Sequence, residues 1–170
     1  HVLTAAHVAT ADENLMWEEY DGKSIAVCKL FIHPIADDIA VDHDIAILSL
    51  ESPSTKKPHT NLFGDDAGDD VRSNESLRIV GYSWGLRKLS DPDVFTYYGR
   101  LIKEPQVLVL MPVNASVWHG DSGGPVYTEE NELIGIVTHF RLLTNGMILD
   151  NGCASLEYYQ PWVRSIVPKP

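Results

Sequence analysis

One hexapeptide limits the fold of this chain more than any other stretch: Gly120-Asp121-Ser122-Gly123-Gly124-Pro125. Glycines and a proline packed this densely argue against both a helix and a regular strand, so the serine has to sit on a tight turn. The residues beyond it are equally restrictive. Pro125-Val126-Tyr127, a polar stretch over 128–132 and Leu133-Ile134-Gly135-Ile136-Val137 read as strand, turn, strand. Backbone N–H groups on such a turn can converge on one point and hold a developing negative charge. A serine hydroxyl is a weak nucleophile at neutral pH and needs a base beside it. His7, in Thr4-Ala5-Ala6-His7, is the candidate base, because imidazole titrates near neutrality and can both take and return a proton. Asp44, in Asp44-Ile45-Ala46-Ile47-Leu48, is the candidate for orienting that imidazole. Along the chain the order is histidine, aspartate, serine.

The same serine satisfies a rival pattern. Gly120-x-Ser122-x-Gly124 matches the nucleophile elbow of α/β-hydrolases, which requires a helix after the serine and the order serine, acid, histidine. Here a strand comes next, and His139 is the one histidine beyond Ser122, with Asp150 after it rather than before. The elbow fails on both counts. The three islands in their order instead resemble the chymotrypsin/trypsin-like serine protease family. That resemblance implies an all-β fold of two antiparallel β-barrels, the first incomplete, with a C-terminal α-helix. It implies a partial barrel over residues 1–75 carrying His7 and Asp44, and a second over 76–170 carrying Ser122. The implied activity is serine endopeptidase chemistry through an acyl-enzyme, with the backbone N–H groups of Gly120 and Ser122 as the oxyanion hole. A catalytically inactive protease-like binding domain is the alternative, and the intact His7, Asp44 and Ser122 set favours the enzyme. Residues 1–6 run straight into His7, whereas the family places further strands ahead of it, so a truncated first barrel is expected. In the family a new amino terminus often pairs with the aspartate before the serine, here Asp121.

Composition narrows the classes further. Of the 170 residues 44% are hydrophobic and 22% charged, the balance of a folded domain rather than a disordered one. No apolar run is long enough to span a membrane. A net charge of −11 opposes nucleic-acid binding, which wants a basic face, and the acidic clusters at 36–44 and 65–70 read as solvated loops. His33, His43, His59 and His139 lack the paired spacing of zinc enzymes, and neighbouring strand residues such as Asp42, His43 and Asp44 point to opposite faces. No metal and no cofactor is expected. Cys28 and Cys153 read as packed small hydrophobes. Where animal members of the family carry a cysteine beside the catalytic histidine this chain has Val8, and Trp118 occupies a second such position. Family resemblance implies an extracellular setting, with a protein or peptide substrate and a protein inhibitor as partners. Asn74-Glu75-Ser76 and Asn114-Ala115-Ser116 match the glycosylation pattern.

Alternation and punctuation place strands at Ser24–Ile32, 45–50, 77–81, 96–102 and 106–111, with a connecting loop over 51–75. Gly81-Tyr82-Ser83-Trp84-Gly85 resembles the family's glycine–tryptophan turn. A hairpin is expected from 133–140 and 147–156 through Thr144-Asn145-Gly146, and a helix over 158–167 with Trp162, Val163 and Ile166 on one side. The resemblance also puts the specificity pocket's floor at Ser116, its wall at Thr138, His139 and Phe140, and its rim at His119. Uncharged Ser116 argues against a Lys or Arg preference, and Phe140 would narrow the mouth toward small or medium side chains. A protonated His119 would accept an acidic side chain instead.

Overall fold

The computed structural model describes residues 1–11, 14–19, 21–36, 43–57, 76–81, 93–98, 102–103, 107–110 and 117–168. The first strands are short. β1 (Val2–Thr4) leads into a single helical turn, α1 (Ala6–Ala9), followed by β2 (Met16–Glu18), β3 (Ser24–Ile32) and β4 (Ala46–Leu50). They form a four-stranded antiparallel sheet in the order β1-β4-β3-β2. β4 is buried at Ala46, Ile47 and Leu48, and the small side chains of Ala6 and Ala9 let α1 settle against it. β3 spans the residues its apolar and β-branched pattern indicates and ends at His33-Pro34, where proline removes the next backbone donor. Its one irregularity corrects the expectation for Cys28. Val27 pairs Leu50 and Lys29 pairs Ser49, so Cys28 is the extra residue of a bulge. The bulge turns Cys28 outward, where its thiol donates to the Ser49 carbonyl at 3.3 Å. Cys153 is buried as expected, and both thiols are free.

The second sheet is larger. Its strands are β5 (Ser76–Gly81), β6 (Asp93–Tyr98), β7 (Ile102–Lys103), β8 (Val107–Leu110), β9 (Pro125–Tyr127), β10 (Leu133–Leu142) and β11 (Ile148–Ser155), in the order β6-β5-β9-β10-β11-β8-β7. The strands at its two ends, β6 and β7, are separated along the chain only by residues 99–101. Four chain steps from Tyr98 to Ile102 reach at most about 14 Å, so the two edges are near one another and the sheet is rolled up. β6 pairs β5 while β7 pairs β8, so the two ends of the strand expected over 96–102 are both in strands, and residues 99–101 between them lie outside the described residues. The expected hairpin is present as β10 and β11, with Gly146 in the left-handed region at φ 81°. α2 (Leu156–Ile166) comes next, starting two residues earlier than the spacing of Trp162, Val163 and Ile166 suggested. Its buried residues Leu156, Tyr159 and Val163 recur at helical spacing.

The two sheets share a core. Ile45 and Ile47 from the first half pack with Leu133, Ile136, Ala154, Leu156, Tyr159 and Val163 from the second. A second cluster of Leu77, Ile79, Leu108, Val126, Ile134, Val137 and Cys153 fills the rolled sheet. Together the elements make an all-β fold of two antiparallel units, the first a half-barrel, with a C-terminal helix. Ser116, His59, the 82–85 part of the glycine–tryptophan turn, both glycosylation asparagines and most of the 51–75 loop lie outside the described residues.

Candidate active site

β1 delivers the chain to α1, and that one turn carries His7. Asp44 enters from the other direction, just before β4, which pairs with β1 through Thr4 and Ala46. The strand pairing therefore puts the aspartate beneath the histidine. Asp44 grips it twice: Oδ1 accepts the His7 backbone N–H at 2.9 Å, and Oδ2 lies 2.6 Å from Nδ1. An ionised carboxylate only accepts, so Nδ1 is the donor and Nε2 of the neutral ring is left as an acceptor. The Asp44 hydrogen bond raises the His7 pKa above 6.5, partial burial pulls it down, and the Asp44 charge raises it again, with a net upward shift.

Asp44 is itself preceded by an unusual residue. His43 has φ 64°, a left-handed conformation that histidine tolerates better than most side chains. Its ring stacks on His33 at 5.2 Å and 6°, and its Nδ1 lies 3.0 Å from the Tyr159 hydroxyl of α2. Burial lowers the His33 pKa, and the charge of His43 adds to the shift. Sequence reasoning treats these histidines only as poor metal ligands and misses this stack. A histidine one residue before Asp44 is the available signal.

Ser122 is placed by backbone. The Asp121 N–H donates to the Trp118 carbonyl at 3.1 Å, while the Trp118 N–H donates back to Asp121 Oδ2 at 2.9 Å. Gly124 donates to the Asp121 carbonyl, and Gly123 donates to Val137 in β10. The N–H groups of Gly120 and Ser122, by contrast, have no partner among the described residues. Gly120 and Gly123 have φ values of 98° and 83°, the region glycine enters freely. At Gly123 the steric demand is double, because a Cβ there would lie 2.3 Å from Thr4 Oγ1 of β1. That close approach brings the serine turn against the strand that leads to His7.

His7, Gly120, Ser122, His119, Thr138, His139 and Phe140 consequently line one cleft of about 580 Å³, together with Val8 and Ala11, to which sequence reasoning assigns no place in the site. Asp44 stands behind His7. Residues 1–136 match the family model described as a trypsin-like peptidase domain. The chain belongs to that family. It is 26% identical to a chymase of Canis lupus familiaris over 98% of this chain and 74% of that protein. It is 27% identical to chymotrypsin-like elastase family member 1 of the same species over 76% of this chain and 61% of that protein. A trypsin of Saccharopolyspora erythraea is 26% identical over 81% of this chain and 70% of that protein. The chain thus spans between about three fifths and three quarters of these relatives. Homology to trypsin-like peptidases supports serine-protease function, with protein or peptide substrates.

The far wall of this trypsin-like cleft is aromatic. Phe140 stacks on Trp118 at 5.0 Å and 15°, and His119 meets the Phe140 ring edge-on at 5.2 Å. Thr138 has one hydroxyl proton and gives it to the Gly152 carbonyl at 3.1 Å, so at 3.0 Å His139 Nδ1 is the donor to Thr138 Oγ1. The His139 ring lies over Gly152, where a Cβ would sit 1.9 Å from its Cε1. A glycine inside a strand pattern is the sequence signal for such a close approach, and Gly152 is an instance of it.

Proposed function

We propose that this chain is a serine endopeptidase in which His7, Asp44 and Ser122 form a catalytic triad. The observation that carries it is a histidine, doubly held by a carboxylate behind it, facing the same cleft as a serine on a turn whose two N–H groups have no partner among the described residues. In the first step Ser122 Oγ attacks the scissile carbonyl while His7 Nε2 takes its proton. The carbonyl oxygen becomes an oxyanion between the N–H groups of Gly120 and Ser122, each such donor contributing about 3 kcal/mol of transition-state stabilisation. Asp44 keeps the proton on Nδ1 and stabilises the imidazolium. His7 then returns its proton to the leaving amine, giving an acyl-enzyme that water, activated by the same imidazole, hydrolyses.

Supporting a preference for uncharged small or medium side chains before the scissile bond is the Phe140–Trp118 stack at the pocket mouth, together with the neutral identity of Ser116. The substrate backbone would run along Thr138, His139 and Phe140, with His119 at the rim. We assign residues 1–75 and 76–170 to the two barrel units, and place the protein in an extracellular setting, where a protein inhibitor is a second partner class. A fluorophosphonate probe tests the reaction class. The expected result is a single covalent adduct on Ser122 that disappears in Ser122→Ala and weakens as His7 becomes protonated. No adduct, or an adduct on another residue, would sink the triad and favour a protease-like binding domain.

A further inference from the structure

Asp44 is held from behind as well as from the front. The Ile45 N–H donates to the His43 carbonyl at 2.8 Å, which closes a three-residue turn with the aspartate at its centre. His43 opens that turn at φ 64°, a conformation that persists where surrounding groups impose it. Here side chains do so. The His43 ring lies parallel to that of His33 at 5.2 Å, and its Nδ1 is 3.0 Å from the Tyr159 hydroxyl of α2. Tyr158 and Tyr159 flank the same ring at 6.0 and 5.8 Å. His33 in turn meets Tyr159 and Trp162 edge-on at 5.1 and 5.2 Å, while its backbone N–H donates to the Ile45 carbonyl at 3.1 Å. Two imidazoles therefore join α2 to the turn that presents Asp44 to His7.

A joint made of imidazoles responds to protons where an aliphatic one does not. His33 Nδ1 accepts the Ile35 N–H at 3.4 Å, a role open to the neutral ring and closed to the imidazolium, which has no acceptor. A proton on His33 sets two donors against each other at that point. Charge on both rings of a parallel stack is also repulsive at this separation. Among the described residues, the groups that face the pair are the Tyr158 and Tyr159 hydroxyls of α2 and the Asp44 carboxylate, which His7 engages through both oxygens. α2 carries its charges, Glu157 and Arg164, in its first and last turns. Asp42 precedes His43 in the chain and lies outside the described residues. Burial and the His43 charge both lower the His33 pKa from 6.5.

We propose that His33 and His43 are positioning residues for Asp44 and that their stack is a proton-sensitive brace. With both rings neutral, α2 holds the Asp44 turn in place. A proton on the pair separates the rings, loosens the turn and weakens the grip of the carboxylate on His7. The effect on rate rests on the triad proposed above; the coupling between the stack and the His7–Asp44 pair does not. The brace gives this side of the cleft two ionisations of opposite sign. Asp44 raises the His7 pKa above 6.5, so the stability of that pair is fully present below 6.5 and is lost as pH rises through the raised value. The His33 pKa is lowered, so the stability of the stack is fully present above 6.5 and is lost as pH falls through the lowered value. Acid therefore first charges His7 and then releases the support behind its partner.

Imidazole NMR signals read the coupling without any need for activity. They are followed in the Ser122→Ala chain as the pH is lowered from about 8 to about 5. The His7 Nδ1 signal should move twice, first as His7 takes its own proton above 6.5 and again below 6.5 in step with the titration of His33. With His33→Phe added, which keeps an aromatic edge toward Tyr159 and Trp162 but takes no proton, the second movement should vanish and the first should stay. The Ser122→Ala chain decides the matter even where His33→Phe does not fold: His33 titrating while the His7 signal stays still overturns the brace. So does a second movement that survives in His33→Phe. Hydrolysis by the chain with Ser122 intact supplies the link to rate. Relative to its own value at about pH 8, kcat at about pH 5.5 should fall about fivefold further than in His33→Phe, the order of one hydrogen bond. Superimposable profiles would reduce the stack to a structural contact and overturn its positioning role. No hydrolysis at any pH, with the two movements of His7 present, refutes the peptidase and supports the brace.

Discussion

The two halves of the cleft are built by different means. On one side His7 and Asp44 are fixed to each other by side-chain and backbone hydrogen bonds of 2.6 and 2.9 Å, with His43 in the left-handed region just before the aspartate. On the other, Ser122 makes no hydrogen bond among the described residues, and its position is set by the hydrogen bonds of its neighbours and by glycines in conformations and at distances other residues refuse. Damage to the first half should therefore show up as altered protonation and rate. Damage to the second should show up as altered stability, with the exception of Ser122 itself.

That exception gives the largest expected effect. Ser122→Ala should lower hydrolysis by at least about a hundredfold, because triad members act as a unit. Its thermal midpoint should stay within about 2 °C, since no hydrogen bond is lost. A large loss of stability would break the contrast between the halves. Next comes Asp44→Asn, which removes the acceptor that selects the His7 tautomer, with an expected loss of about a thousandfold or more in kcat. The pH dependence sharpens the point. The His7 pKa is raised above 6.5, so the acid limb of kcat/KM should lie above 6.5, with activity growing as pH rises through the folded value. The stability contributed by the same pair has the opposite sign: fully present below 6.5, it is lost as pH rises through that raised value. In Asp44→Asn the acid limb should move to lower pH, and an unmoved limb in pH–rate profiles would mean another group is titrating.

Two glycines with the same backbone angle test the other half. Gly123 and Gly146 have φ 83° and 81°, but a Cβ meets Thr4 Oγ1 at 2.3 Å in the first and nothing within 4 Å in the second. Gly146→Ala should cost about 1 kcal/mol, and Gly123→Ala more than about 3 kcal/mol by adding overpacking to strain. Combining Thr4→Ala with Gly123→Ala should recover part of that difference in urea denaturation, and equal costs would remove the steric argument. The smallest effect is assigned to Tyr159→Phe, which deletes the hydrogen bond to His43. About 1 kcal/mol of stability should go with it, and kcat should fall by about twofold to fivefold as the residue before Asp44 loosens. An unchanged kcat would show that the His43 contact serves folding alone.

Much of this is legible in the sequence because it depends on local demands. β3 can be bounded from its apolar run and His33-Pro34, and the serine turn from its glycines. His7, Asp44 and Ser122 can be singled out because each sits in a local context that suits its chemistry. The failures share a cause, which is dependence on distant partners. No local pattern tells that β6 pairs β5 at one edge of the second sheet while β7 pairs β8 at the other. Cys28 is turned out by a bulge whose existence depends on the register of β4, and the His33–His43 stack requires a helix more than a hundred residues away. Cys153 shows the converse: buried at the centre of the rolled sheet, its thiol pKa is pushed up to about 12, as an apolar environment dictates.

The core that joins Ile45 and Ile47 to Tyr159 and Val163 brings together segments made far apart in time. Tyr159 and His43 are 116 residues apart in the chain, and contacts of that span close slowly because the intervening loop must be ordered first. During synthesis, Ile45 and Ile47 lack Leu156, Tyr159 and Val163, three of their core partners, until α2 has left the ribosome. His7 and Asp44 are translated before that helix, and part of the core behind them comes from it. The core behind Asp44 is therefore completed only when the last element of the described fold is made.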